Sequence, residues 1–169
     1  EVAYGWRAAL TRKQGPTMLV LTRQGLPIVD RKELASAAGV LKGAYVLAKE
    51  KGDSPDIILI ASGSEVQIVL EAQKKLVEEG IDARVISMPS WALFQEQSQQ
   101  YRDQVLPPNV KARLAVEAGS PFGWREWVED AGDVIGISKF GASAPWQELF
   151  KQYGLTVDNV VEKARQLLG

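Results

Sequence analysis

The sequence contains no cysteine and no histidine. The first absence removes disulfides, thiolate metal sites and cysteine nucleophiles, and leaves the redox compartment unreadable from sulfur. The second removes serine–histidine catalysis, imidazole metal sites and the usual proton shuttle near neutral pH. Any chemistry done by this chain alone therefore falls to carboxylates, lysines, arginines or a bound cofactor. An excess of one charge is missing too: 20 basic and 21 acidic side chains leave a net charge of −1. No overall field gathers nucleic acid or an anionic membrane surface. No apolar run nears the roughly 20 residues needed to cross a bilayer; Ile57–Ala61, as long as any, has 5 residues. The first residues lack the charged-then-apolar pattern of a secretory leader.

What is present is a globular composition. The 169 residues are 46% hydrophobic and 24% charged, enough for one domain with a good core, or one domain plus a piece of another. Within Glu1–Gln14, Val2, Trp6, Ala9 and Leu10 recur at helical spacing. The stretch opens with neither an initiator methionine nor a Ser, Thr, Asp or Asn cap, and reads as a helix entered partway through a longer protein. Gly15-Pro16 stops it. Thr17–Thr22 then forms a near-continuous apolar run, the pattern of a strand buried on both faces. Helix and strand together read as the tail of an α/β domain whose body lies upstream. Residues 25–43, with Gly25, Pro27, the charged cluster Asp30–Glu33 and Gly43, carry no clear period and read as a connector.

From Gly43 a regular alternation sets in. Ala44–Lys49 and Asp56–Ser62 read as strands, the second a buried central one, and Glu65–Glu79 as a helix. Ser64 and Gln67 have capping-box spacing at the start of that helix. Val66, Val69, Leu70, Leu76 and Val77 give it an apolar stripe, and Gly80 can close it. A strand at Ala83–Met88 follows, then helical material over Trp91–Val105 and a break at Pro107-Pro108. Strands at Ala112–Glu117 and Val134–Ser138 flank a short helix in Phe122–Val128. Two helices finish the chain, one with Trp146, Leu149, Phe150 and Tyr153 on one face, the other after the cap Thr156.

Strands alternating with helices predict a three-layer α/β/α domain with a mixed, mostly parallel five-stranded sheet, Rossmann-like in kind. The mixed character comes from one connection. Only about six residues join the strand ending at Lys49 to the one starting at Asp56, whereas a parallel crossover needs a dozen or more. The two strands are therefore predicted to be antiparallel.

Few residues offer chemistry. Arg23 lies at the carboxyl end of the Thr17–Thr22 run, where open α/β sheets usually bind ligands. Its guanidinium fork suits phosphate or carboxylate, although position alone favours an ordinary salt-bridging arginine. Ala61-Ser62-Gly63-Ser64-Glu65 could offer backbone N–H groups to an anion, but it lacks the Walker and dinucleotide glycine patterns and reads first as a helix cap. Glu117, at a strand end, reads as structural rather than as an acid or base. The five tryptophans read as core or interface packing before they read as a binding face.

Several segments, taken in order, resemble one family. They are Gly15-Pro16-Thr17 with Leu21-Thr22-Arg23-Gln24 and Leu26-Pro27, then Ile60–Val66, Ala83–Ser90, Val116–Gly119, Gly123-Trp124 and Phe140–Pro145. Together they resemble the carboxy-terminal part of transketolase. The resemblance implies that residues 1–29 are the tail of a pyrimidine-binding domain, residues 30–42 a linker, and residues 43–169 the complete third, carboxy-terminal domain.

The same resemblance implies a parent enzyme that uses thiamine diphosphate and Mg2+ (or Ca2+). That enzyme moves a two-carbon ketol unit from a ketose phosphate to an aldose phosphate, in the pentose phosphate pathway or the Calvin cycle. The cofactor carries the carbanion chemistry and the protein positions it. In that family the arginine matching Arg23 binds the substrate phosphate, so Arg23 is the one expected substrate-binding residue. Catalytic, cofactor and metal residues are expected upstream, with none in this chain, which alone is expected to be inactive and to serve packing, dimer contact or regulation. The expected partners are the upstream domains of the same chain, sugar phosphates and a second copy in a homodimer, with no nucleic acid and no membrane. The expected compartment is the cytoplasm, or a plastid in a plant. Dihydroxyacetone synthase, deoxyxylulose phosphate synthase and 2-oxo acid dehydrogenase subunits share this carboxy-terminal fold and stay open as alternatives, as does an autonomous interaction module.

Overall fold

Four consecutive apolar side chains, Ile57 to Ile60, are completely removed from solvent. A strand can bury every side chain only if both faces of its sheet are covered, and that requirement organises the rest. In the computed structural model, which describes residues 1–169, this strand (β2, Ile57–Ala61) lies at the centre of a five-stranded sheet. The others are β1 (Tyr45–Ala48), β3 (Ala83–Ser87), β4 (Arg113–Val116) and β5 (Asp133–Ile135). The strand order is β1-β3-β2-β4-β5.

Side-chain alternation sorts the core into two layers. Ile57, Leu59 and Ala61 point to one face, together with Leu47, Val85, Leu114 and Val116. That face is covered by α2 (Val66–Glu78) and α7 (Val157–Leu168) through Val69, Ala72, Leu76, Val160 and Ala164. Helix α6 (Trp146–Gln152) adds Phe150 at its margin. Ile58, Ile60, Ile86 and Ala115 point the other way. There α3 (Trp91–Gln95), α4 (Gln99–Val105) and α5 (Arg125–Val128) supply Phe94, Val105, Trp127 and Val128. The result is the predicted α/β/α layering. No helix is long and apolar enough to cross a membrane.

The sheet is mixed, as predicted, but strand adjacency differs from the simplest reading. β1 runs antiparallel to β3, with Tyr45 opposite Ser87, and β3 separates it from β2. β2 is parallel to both β3 and β4. β1 and β2 therefore do run in opposite directions, as the short connection requires, without touching. The interposed strand is the product of the α2 crossover, which returns the chain beside β2 on the side where β1 lies.

Local details also depart from expectation. Thr17–Thr22 is extended but pairs with no strand, and Met18 and Val20 are each 85% exposed. An apolar run becomes a buried strand only when partner strands exist, and none lies within these residues. The capping box at Ser64 and Gln67 does not form. Gly63–Glu65 is instead a short 3-10 turn, and α2 starts after Glu65 without a side-chain cap. Trp91–Val105 divides into two helices because Ser90 and Ser98 each cap a separate start, accepting from the amides of Leu93 and Tyr101 at 3.3 Å. Thr156 caps α7 as expected, accepting from Asn159 N at 3.3 Å.

Helix α1 (Val2–Thr11) buries none of its own residues. Tyr4 packs against the first core layer, and Val2, Trp6 and Leu10 are left exposed, Trp6 at 52% and Leu10 at 80%.

Candidate functional site

Arg23 sits at a bend in the extended stretch that follows α1, and it is exposed. Its neighbours hold each other: the Thr22 hydroxyl donates to the Gln24 side-chain oxygen. The guanidinium takes part in none of the nine ion pairs of the chain. An ordinary structural arginine looks different here. Arg84 is buried against Glu50 and the carbonyls of Gln104 and Val105. Arg113 is buried against Glu129 and the carbonyls of Val110, Trp127 and Pro107. Arg23 is thus a cation without an internal partner, on a segment that the sheet does not absorb.

A second cluster lies where ligands gather in open α/β sheets. β2 leads through α2 to β3 on one side, while β4 leads through α5 to β5 on the other, so the connections diverge between the carboxyl ends of β2 and β4. Glu65, at the β2 end, is 4% exposed. Burial pushes its carboxyl above the usual 4.5, and the Ser64 hydroxyl and Ala118 amide on its carboxylate offset part of the rise. Glu117, at the β4 end, is raised first by burial and next by the charge of Glu65, with Trp124 and Ser62 pulling the other way. The two carboxyls knit the β2–α2 loop to the β4–α5 loop. Glu117, read from sequence as structural, is hydrogen-bonded with the Trp124 and Ser62 side chains. Glu65 was missed as an interior residue, because a glutamate at a helix start normally signals an exposed charge beside the helix dipole.

The tryptophans divide. Trp124 and Trp127 are buried in the second core layer, and Trp91 packs edge-on against Trp124 with ring centres 5.0 Å apart. Trp146 packs on Phe150. These four pack against other side chains, while Trp6 is 52% exposed on α1.

Thiamine diphosphate does not fit the residues present. It binds through a divalent cation that needs a cage of oxygen ligands, and no three acidic side chains approach closely enough to hold a metal. The two interior carboxyls, Glu65 and Glu117, are already engaged with loop groups. Arg23 offers an exposed guanidinium that is free of internal ion pairs.

Comparison with known proteins agrees along the whole chain. Residues 43–156 match the family described as the transketolase-like TK C-terminal domain. The transketolase of Bacillus subtilis is 49% identical over 168 residues, which is 99% of this chain and 25% of that protein. The Leishmania mexicana transketolase superposes with a TM-score of 0.90 at 38% identity, covering 99% of this chain and 24% of the other. Pichia stipitis transketolase in complex with sedoheptulose-7-phosphate gives a TM-score of 0.87 at 36% identity over 98% of this chain and 23% of that one. The chain spans about a quarter of the length of these relatives. A mixed five-stranded sheet with helices on both faces, a family match over most of its length and near-complete similarity to the carboxy-terminal region of transketolases establish that this chain belongs to the transketolase C-terminal domain family.

Proposed function

We propose that this chain is the carboxy-terminal part of a thiamine diphosphate-dependent transketolase. Residues 1–29 close its pyrimidine-binding domain, residues 30–42 link, and residues 43–169 form its third domain. The whole enzyme transfers a two-carbon ketol unit between sugar phosphates in the cytoplasm, as a homodimer, in a pentose phosphate or Calvin-type cycle. Upstream segments hold the diphosphate, its metal ion and the catalytic groups. This chain contributes Arg23 as the ligand of the substrate phosphate.

The observation that carries this reading is the exposed, unpaired guanidinium of Arg23 in a chain similar from end to end to transketolases, one of them seen with a sugar phosphate. The exposed apolar stretch Met18–Leu21 supports it as well, having the character of a strand whose sheet lies in the upstream domain.

The test is substrate discrimination in the full-length enzyme. Arg23→Ala removes charge-assisted hydrogen bonds worth about 1.5–3 kcal/mol, or ten- to a hundredfold in kcat/KM for phosphorylated donors. A donor without phosphate, such as hydroxypyruvate, keeps its kcat/KM. If the ratio of the two values is unchanged in the variant, Arg23 is not the phosphate ligand.

A further inference from the structure

Two distant pieces of the chain meet over one tyrosine. Tyr45 in β1 and Ser87 in β3 are paired in register, and both are buried. The Tyr45 hydroxyl donates to the Glu1 carboxylate, and the Ser87 hydroxyl donates to the same carboxylate oxygen at 2.8 Å. Arg31 arrives from the other end of the intervening stretch. Its Nη1 donates to the Tyr45 oxygen at 3.1 Å and to the Ala35 carbonyl at 2.7 Å, and its Nη2 lies 3.8 Å from Glu1. Glu1 precedes α1, and Arg31 follows the extended segment that bears Arg23. The loop between them is therefore closed at its base by a four-residue clasp. Within it, Leu19 packs on α1 at Gly5, where an added Cβ would sit 3.5 Å from a Leu19 methyl carbon. Glu1, α1 and Leu19 are thus linked, and Arg23 follows Leu19 in the same stretch.

We infer that Tyr45 is a positioning residue: through Glu1 and Arg31 its hydroxyl fixes the loop that presents Arg23, and so sets where that guanidinium stands relative to the third domain. The inference rests on the reading of Arg23 as phosphate ligand. The clasp suits this task because each member is satisfied by another, and a carboxylate taking two hydroxyls and facing a guanidinium is a stiff, charge-assisted arrangement. Burial, and next the hydrogen bond to Glu1, push the Tyr45 hydroxyl up to about 12. It stays a donor throughout the physiological range. The polar contacts of the clasp run among its own members and the Ala35 carbonyl, so its effect on Arg23 passes through the geometry of the loop.

The experiment uses the full-length enzyme in three variants, Tyr45→Phe, Glu1→Gln and Arg23→Ala. Its readouts are amide hydrogen exchange over residues 2–24 and kinetics with a phosphorylated and an unphosphorylated donor. Tyr45→Phe keeps the ring and removes both charge-assisted bonds at its oxygen, the one to Glu1 and the one from Arg31, so α1 amides exchange at least about tenfold faster. KM for the sugar phosphate rises severalfold, kcat holds, and hydroxypyruvate kinetics do not move. Glu1→Gln, at a partly exposed position, gives the same pattern and serves where Tyr45→Phe folds poorly. Unchanged exchange and unchanged KM in both clasp variants overturn the inference whatever Arg23→Ala does. Faster exchange with an unmoved KM overturns the positioning role. An unaltered donor ratio in Arg23→Ala beside faster exchange in Tyr45→Phe instead overturns the phosphate reading, and leaves the clasp holding a segment with another task.

Discussion

Glu65 and Glu117 show how two residues of one type can act against the usual pH trend. Both carboxyls are raised above the ordinary 4.5, burial being the larger cause in each. An acid whose folded value lies above its unfolded value holds its proton more tightly in the folded state. The stabilisation is then full below pH 4.5 and is lost as pH rises through the raised folded values. Glu50 has the opposite sign. Its hydrogen bonds to Arg84 hold it below 4.5, so its contribution is present at neutral pH and fades as pH falls through that lower value. Glu117→Gln removes the charge that faces Glu65 while keeping a shape able to meet Ser62 and Trp124. At pH 7 it is expected to raise Tm by about 2–4 °C, the effect of ~1 kcal/mol in a domain of this size, a figure kept low because Glu117 is partly exposed and screened. Below pH 4.5 the gain should vanish. Thermal unfolding of both proteins across pH 4–8 decides it; a gain that persists in acid would mean that charge between the two carboxyls is not its source.

Among the elements, glycines with nearly the same positive φ differ in what surrounds them. Gly80 ends α2 with φ of 82° and has no atom within 4 Å of an added Cβ. Gly43 enters β1 with φ of 83°, and an added Cβ would lie 2.3 Å from both Phe94 N and Ser90 O. Gly80→Ala is expected to cost about 1 kcal/mol, the left-handed penalty alone. Gly43→Ala should cost about 3 kcal/mol or more, because backbone must move as well. Urea midpoints at constant slope would measure both, and equal losses would refute the contrast. The elements also show what could be read in advance. β2, β3, α2 and α7 were legible because their residues fill a period and find partners within the chain. Thr17–Thr22 has an equally good pattern and stays bare, since a pattern records which side chains suit burial and not whether a covering surface exists. The antiparallel sense of β1 followed from a short connection, but its partner strand depended on where the α2 crossover lands. The expectation for Arg23 rests on its neighbours Leu21-Thr22 and Gln24-Gly25-Leu26-Pro27, because its position alone favoured an ordinary salt-bridging arginine. The clasp at Tyr45 was not legible, because nothing local links Glu1, Arg31 and Ser87.

Across the whole molecule, apolar exposure is uneven. Met18, Val20 and Ile28 are 85%, 85% and 99% exposed, while the sheet buries β2 entirely. The family match begins at residue 43, which suggests a natural place to cut, yet the sheet itself closes further upstream. Ala35 N donates to the Leu47 carbonyl at 2.9 Å along the outer side of β1, and Leu34 packs on the core beside it. At the opposite border, β5 has only three residues, and its Asp133 is paired with Lys163. A sheet border with free carbonyls and amides recruits strands from other molecules, and proteins blunt such borders with short strands, charge or a covering segment. All three devices are present here, the covering segment beside β1 and the short strand and charge at β5. A chain starting at residue 31 should therefore lose the bare apolar stretch and stay monomeric by sedimentation, whereas one starting at residue 43 should associate as concentration rises. Equal behaviour of the two would mean that Ala35 guards nothing. The segment that leads into β1 is, on this view, also the molecule's defence against polymerising through its own sheet.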